Sequence, residues 1–194
     1  MGVSLARFAV GAYATLEKEV EKLKIVLDAG HGGKDPGAVG YVTEKEITLK
    51  LAKLVAYELR LQKHEVIMTR SDDVYETLAE RVRIANEAKP DLFVSIHCNA
   101  ATSPNANGVE TLCYRAGTTA TNFANRVQNE LAMYSGLFNR GVKLMPWIYV
   151  LKQTTSPAIL VELGFVSNKD DAAKLKDPEF IRHCARLIAR GITK

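Results

Sequence analysis

Three stretches of the chain place polar, chemically capable side chains where apolar runs end. The first is DAGHGGKDPGA (28–38), in which His31 sits among glycines directly after Ile25-Val26-Leu27. In the second, His97 follows the apolar run Leu92-Phe93-Val94-Ser95-Ile96. The third is AILVELGF (158–165), where Glu162 is the one carboxylate in an otherwise apolar segment. A phosphate cradle wants glycines and a lysine, and a plain turn wants glycines alone, so an imidazole points to a metal. Catalytic zinc usually takes three protein ligands and leaves a fourth position to water.

Sites in open α/β sheets form outside the carboxyl ends of strands, and both His31 and His97 follow such ends. The two histidines can therefore converge on one crevice. A third ligand should be a carboxylate or another histidine. Asp28 and Asp35 flank His31, but aspartates in glycine-rich turns more often accept backbone N–H groups. Thr43-x-x-Glu46 reads as a capping box that occupies Glu46 and leaves Glu44 free in an exposed first helical position. There the plain role of Glu44 is to offset the helix dipole. Glu162 is costly to bury alone, so it must be paired with an arginine, bound to metal or used in chemistry. An apolar setting raises a carboxyl pKa, which suits a general base or acid near neutrality. His64, between Lys63 and Glu65, reads as exposed; His183, beside Arg182 and Arg186, reads as structural or solvated.

The elements that would position these groups alternate. Strands are predicted at 24–28, 64–69, 92–97, 109–114, 148–151 and 158–163. Helices are predicted at 44–62, 78–89, 119–134, 168–176 and 178–192. Thr77-x-x-Glu80 reads as a second capping box, and Asp177-Pro178 as an N-cap followed by proline at the first helical position. The pattern predicts a single α/β domain with a mostly parallel sheet of about six strands and helices on both faces. The segment 101–108 is a turn-rich loop, and 136–157 is the least readable part.

Composition narrows the class. At 194 residues, 47% hydrophobic and 25% charged, the chain suits one compact soluble domain. No apolar run reaches the roughly 18–20 residues a membrane span needs. A net charge of +4 without a dense basic run gives no argument for nucleic acid, but would favour an anionic wall polymer. Cys98, Cys113 and Cys184 form no CxxC pair and read as small buried residues. The apolar stretch in residues 1–14 is too broken for a signal peptide. Leu5, Phe8, Ala9, Ala12, Leu16, Val20 and Leu23 recur at helical spacing, so 1–23 reads as a helix or linker.

Taken in order, DAGHGGKDPGA, Glu44-Lys45, SIHCNA (95–100) and ILVELGFVSN (159–168) resemble the zinc-dependent N-acetylmuramoyl-L-alanine amidases, the amidase type 3 catalytic domain, over about residues 24–192. The resemblance implies that His31, Glu44 and His97 bind one Zn2+ per chain and that Glu162 is the catalytic acid/base. It further implies peptidoglycan as substrate, cut between the lactyl group of N-acetylmuramic acid and L-alanine, at the bacterial cell wall. With no convincing signal peptide, the expected routes there are lysis or a phage pore, and the expected state is a monomer. Arg70 and the Arg81–Asn86 element match family features and read as support for the site or fold. Rival readings are a zinc peptidase acting on the stem peptide, a non-catalytic wall-binding module, and a nucleotide-binding α/β protein. The last lacks both GxGxxG and GK[ST].

Overall fold

A computed structural model describes residues 21–194. The elements run β1 (Lys24–Ala29), α1 (Glu44–Leu61), β2 (Glu65–Met68), α2 (Leu78–Ala88), β3 (Leu92–Asn99), β4 (Val109–Cys113), α3 (Thr119–Tyr134), β5 (Asn139–Leu144), α4 (Tyr149–Gln153), β6 (Ala158–Phe165), α5 (Lys169–Lys176) and α6 (Pro178–Thr193). They form one six-stranded sheet in the order β2-β1-β3-β6-β4-β5. β2, β1, β3 and β6 are mutually parallel; β4 runs antiparallel to β6 and carries β5 parallel beside it.

Strands covered on both faces read as continuous apolar runs, and side chains alternate between the faces. Ile25, Leu27, Val94, Ile96, Ile159 and Val161 face one way, against the buried stripes of α1, α3 and α6. Val26, Phe93, Leu112 and Leu160 face the other way, against Val82 and Ala85 of α2 and Val150 and Leu151 of α4. By the same alternation Asp28, His97, Glu110 and Glu162 point toward the α2/α4 face. Cys98, Cys113 and Cys184 are buried free thiols.

Four local expectations need correction or completion. The segment 148–151 is not a strand: it begins α4, and the sixth strand is β5. Its four apolar residues are too few to separate the two periods, whereas β5 (NRGVKL) is an edge strand with no apolar run to betray it. Thr43 stands at the N-cap of α1 but its side chain makes no capping bond. The free N–H groups of Glu44 and Lys45 are taken by the carbonyls of Ala38 and Pro36, so the preceding turn does the capping. Thr77 does accept the Glu80 N–H, yet the Glu80 carboxylate pairs with Arg83 rather than reaching back. His64 is not exposed but buried, its Nδ1 accepting the Leu23 N–H at 3.1 Å. Asp177 caps α6 as its sequence suggests, accepting the Glu179 N–H. The helix or linker expected over 1–23 lies outside the described residues except for 21–23, which are not helical.

Candidate active site

The strand ends and the start of α1 build the site. β1 delivers a turn in which His31 adopts a left-handed φ of 59°, uncommon for a residue with a side chain. Two buried guanidiniums hold that backbone. Arg81 donates to the carbonyls of Ala29 (2.6 Å) and His31 (2.7 Å) and to Asp28 Oδ1 (2.6 Å). Arg70 donates to the carbonyls of Ala29 and Gly30, both at 2.8 Å. The support role read from the sequence is thus a specific one, a clamp on the turn.

Glu44 is buried, not exposed, at 4% accessibility. Its Oε2 accepts the Ala38 N–H (2.8 Å) and lies 3.1 Å from His31 Nε2. Its Oε1 accepts the Cys98 N–H (3.0 Å) and lies 2.9 Å from His97 Nδ1. The two imidazoles meet edge to face with centroids 4.9 Å apart. One ligand atom from each of His31, Glu44 and His97 falls within 4.8 Å of the others. Glycine makes this closeness possible: a Cβ on Gly30 would lie 2.4 Å from the His97 ring, and one on Gly37 2.6 Å from both Glu44 and His31.

The other carboxylates divide by partner. Asp35 Oδ2 lies 2.9 Å from His31 Nδ1 while its Oδ1 accepts the Gly37 N–H, so it orients the ring from behind. Asp28 is enclosed by Arg81, Thr69 and Ser95 and joins no ligand cluster. Glu162 stands opposite His97 in the β3–β6 register. Among the described residues its buried Oε2 has no hydrogen-bond partner and no arginine pairs with it.

Charge follows burial and neighbours. Burial lifts the Glu162 carboxyl to about 7; the positive pull of His97 does not cancel it, and Glu44 and Glu110 push the same way. Burial disfavours charge on His31, but Glu44 and Asp35 overcome it and raise the imidazole to about 9. Burial likewise opposes ionisation of Glu44, yet His31 and His97 hold it well below the ordinary carboxylate range. A preformed carboxylate between two imidazoles, in a glycine cradle, is a donor set that fits a divalent zinc-like ion. These residues line a cavity of about 410 Å³ together with Tyr75, Arg81, Asn99 and Tyr149. The tyrosines carry no sequence signal, because their place at the cavity depends on how the neighbouring elements pack; Asn99 lies within SIHCNA, but nothing in that stretch assigns it a role.

The pattern of the N-acetylmuramoyl-L-alanine amidase family matches residues 25–194. The chain is 39% identical over 171 residues to the N-acetylmuramoyl-L-alanine amidase LytC of Bacillus subtilis, covering 86% of this chain but 34% of LytC. It is 42% identical over 178 residues to the endolysin of Bacillus phage SPP1, covering 87% and 64% of the two chains. It thus spans about a third of the one and under two thirds of the other. Among solved structures, the catalytic domain of CwlV, an N-acetylmuramoyl-L-alanine amidase from Bacillus (Paenibacillus) polymyxa var. colistinus, superposes with a TM-score of 0.84 at 41% identity, covering 89% of this chain and 97% of that one.

Proposed function

The chain belongs to the N-acetylmuramoyl-L-alanine amidase family, and on that premise we propose that residues 24–194 form a zinc-dependent catalytic domain acting on peptidoglycan. The bond cleaved in this reading is the amide joining the lactyl group of N-acetylmuramic acid to L-alanine. His31, Glu44 and His97 would hold the metal. The chemistry zinc supplies when bound is Lewis acidity, which brings water toward a pKa of about 7 and favours a tetrahedral oxyanion.

The chain's own residues handle the proton. Among the described residues Oε2 of Glu162 has no hydrogen-bond partner, so the carboxyl is committed to no other group, and as a residue of the cavity wall it can accept a proton from the attacking water. A carboxyl held near 7 by burial is half-ionised at neutral pH. It can therefore take that proton and return it to the departing amine nitrogen. Asp35, Arg81 and Arg70 keep the His31 turn in place. The unpaired Glu162 oxygen beside the two-histidine, one-glutamate cluster is the observation that carries this reading. The proposed place of action is the bacterial cell wall.

Digestion of purified peptidoglycan followed by mass spectrometry tests it. Release of intact stem peptides with free L-alanine amino groups is expected; cuts within the stem would instead favour the peptidase reading. Glu162→Gln should lower turnover by about 10²–10⁴-fold while zinc stays near one per chain. His97→Ala should lose both. Wild-type turnover by Glu162→Gln would remove the role given to that residue.

A further inference from the structure

β4 carries a second buried carboxylate that the proposed chemistry leaves unused. Glu110 is 4% exposed and stands opposite Glu162 in the antiparallel β4–β6 register, on the same face of the sheet. Its Oε1 accepts from Asn99 Nδ2 at 3.0 Å, and Asn99 lines the active-site cavity. Its Oε2 accepts from two cations of β5, Arg140 Nε at 2.6 Å and Lys143 Nζ at 2.5 Å. One cation would neutralise Glu110; two leave a surplus positive charge. The surplus is accessible, since the Arg140 and Lys143 side chains are 28% and 35% exposed. It is also held in place: the Arg140 guanidinium lies 4.9 Å over the Phe165 ring. Among the described residues, Lys143 donates only to Glu110, and Nη2 of Arg140 donates to none.

We propose that Arg140 and Lys143 form a subsite for a carboxylate carried by the peptide portion of the substrate. β4 alone lies between β5 and β6, so two strand spacings of about 4.8 Å, roughly 10 Å in all, separate them from Glu162. An extended peptide covers that span in about three residues, so the carboxylate lies within about three residues of the cleaved bond. Arg140 and Lys143 meet on Glu110 Oε2, and the donors they keep beyond that contact, Nη2 of Arg140 and the remaining N–H groups of Lys143, suit a second carboxylate; charged hydrogen bonds are about twice as strong as neutral ones. Glu110 organises the pair, and Asn99 joins it to the cavity wall.

This inference rests on the amidase reading, and the test separates the two. Two synthetic N-acetylmuramoyl peptides are compared, identical except that the carboxylates within three residues of L-alanine are free in one and amidated in the other. Wild type should prefer the free acid by about tenfold in kcat/KM, and Arg140→Gln or Lys143→Gln should each cut that ratio severalfold. Arg140→Lys should retain most of it. Each single variant leaves Glu110 one cation, and the ratio does not depend on the fraction of protein that is active. A wild-type ratio near one, or an unchanged ratio in both glutamine variants, overturns the subsite. If wild type releases no L-alanine amino groups, the amidase reading fails. The subsite is then decided by calorimetric affinities of the same two peptides for Glu162→Gln with and without Arg140→Gln, where equal affinities overturn it.

Discussion

At the scale of single residues, the molecule spends its buried charge on holding a turn still. Asp28 is enclosed by Arg81, Thr69 and Ser95, and Arg81 in turn holds the carbonyls of Ala29 and His31. Burial alone would raise the Asp28 carboxyl, but Arg81 and the two hydroxyls hold it below its ordinary value of 3.8. A depressed carboxyl contributes stability that is present above the unfolded pKa and lost as pH falls through the folded one. Asp28→Asn is therefore expected to cost about 3–5 kcal/mol at pH 7, because Arg81 is left buried without its counter-charge. The deficit should shrink at pH values below 3.8, where wild type loses its own advantage. Urea unfolding of both proteins at the two pH values checks this, and a constant deficit would refute it.

At the scale of elements, the start of α1 departs most from local sequence rules. Thr43 occupies the capping position without capping, since the carbonyls of Pro36 and Ala38 already take the helix N–H groups. The same folding-back of the turn buries Glu44 and sets its carboxylate between the two imidazoles. Thr77 is the contrasting case, with its hydroxyl accepting the Glu80 N–H at 3.1 Å. Thr77→Ala should accordingly cost about 1 kcal/mol, and Thr43→Ala less than about 0.5 kcal/mol. Parallel denaturant titrations of the two variants measure the difference; equal losses would contradict the assignment of capping to the turn.

At the scale of the whole molecule, the proposed metal joins three elements that are distant in the chain: the β1 turn, the first residue of α1 and the end of β3. An ion bound only by the folded state stabilises it by RT ln(1 + [L]/Kd), about 4 kcal/mol at a thousandfold excess over Kd. For a domain of this size that corresponds to a shift on the order of 10 °C in Tm. Chelation should lower Tm by about that amount and added zinc should restore it, as read by thermal unfolding with metal analysis alongside. The β1–β3 pairing and the apolar faces of the sheet do not depend on the ion, so the protein should remain folded when metal-free. Collapse of the fold on chelation would show the site to be structural instead.

The sequence by itself determined the alternation of strands and helices around a mostly parallel sheet and pointed to His31, His97 and Glu162, whereas Glu44 followed only from the family resemblance. Hydrophobic period, turn chemistry and an imidazole among glycines are local signals, legible within a dozen residues. His31 and His97 stand out because each follows an apolar run, and Glu162 because it stands alone in one. Glu110 sits in a comparable run, VETLC, but its meaning rests on Arg140 and Lys143 arriving from a strand that has no apolar signature. Only the tertiary structure decided that Glu44 is buried, that the preceding turn caps α1, that β5 rather than 148–151 completes the sheet, and that His64 is covered. Each of those facts depends on which distant segment lies against the residue. Burial and hydrogen-bond partners across tens of residues are consequences of packing, which no local pattern encodes.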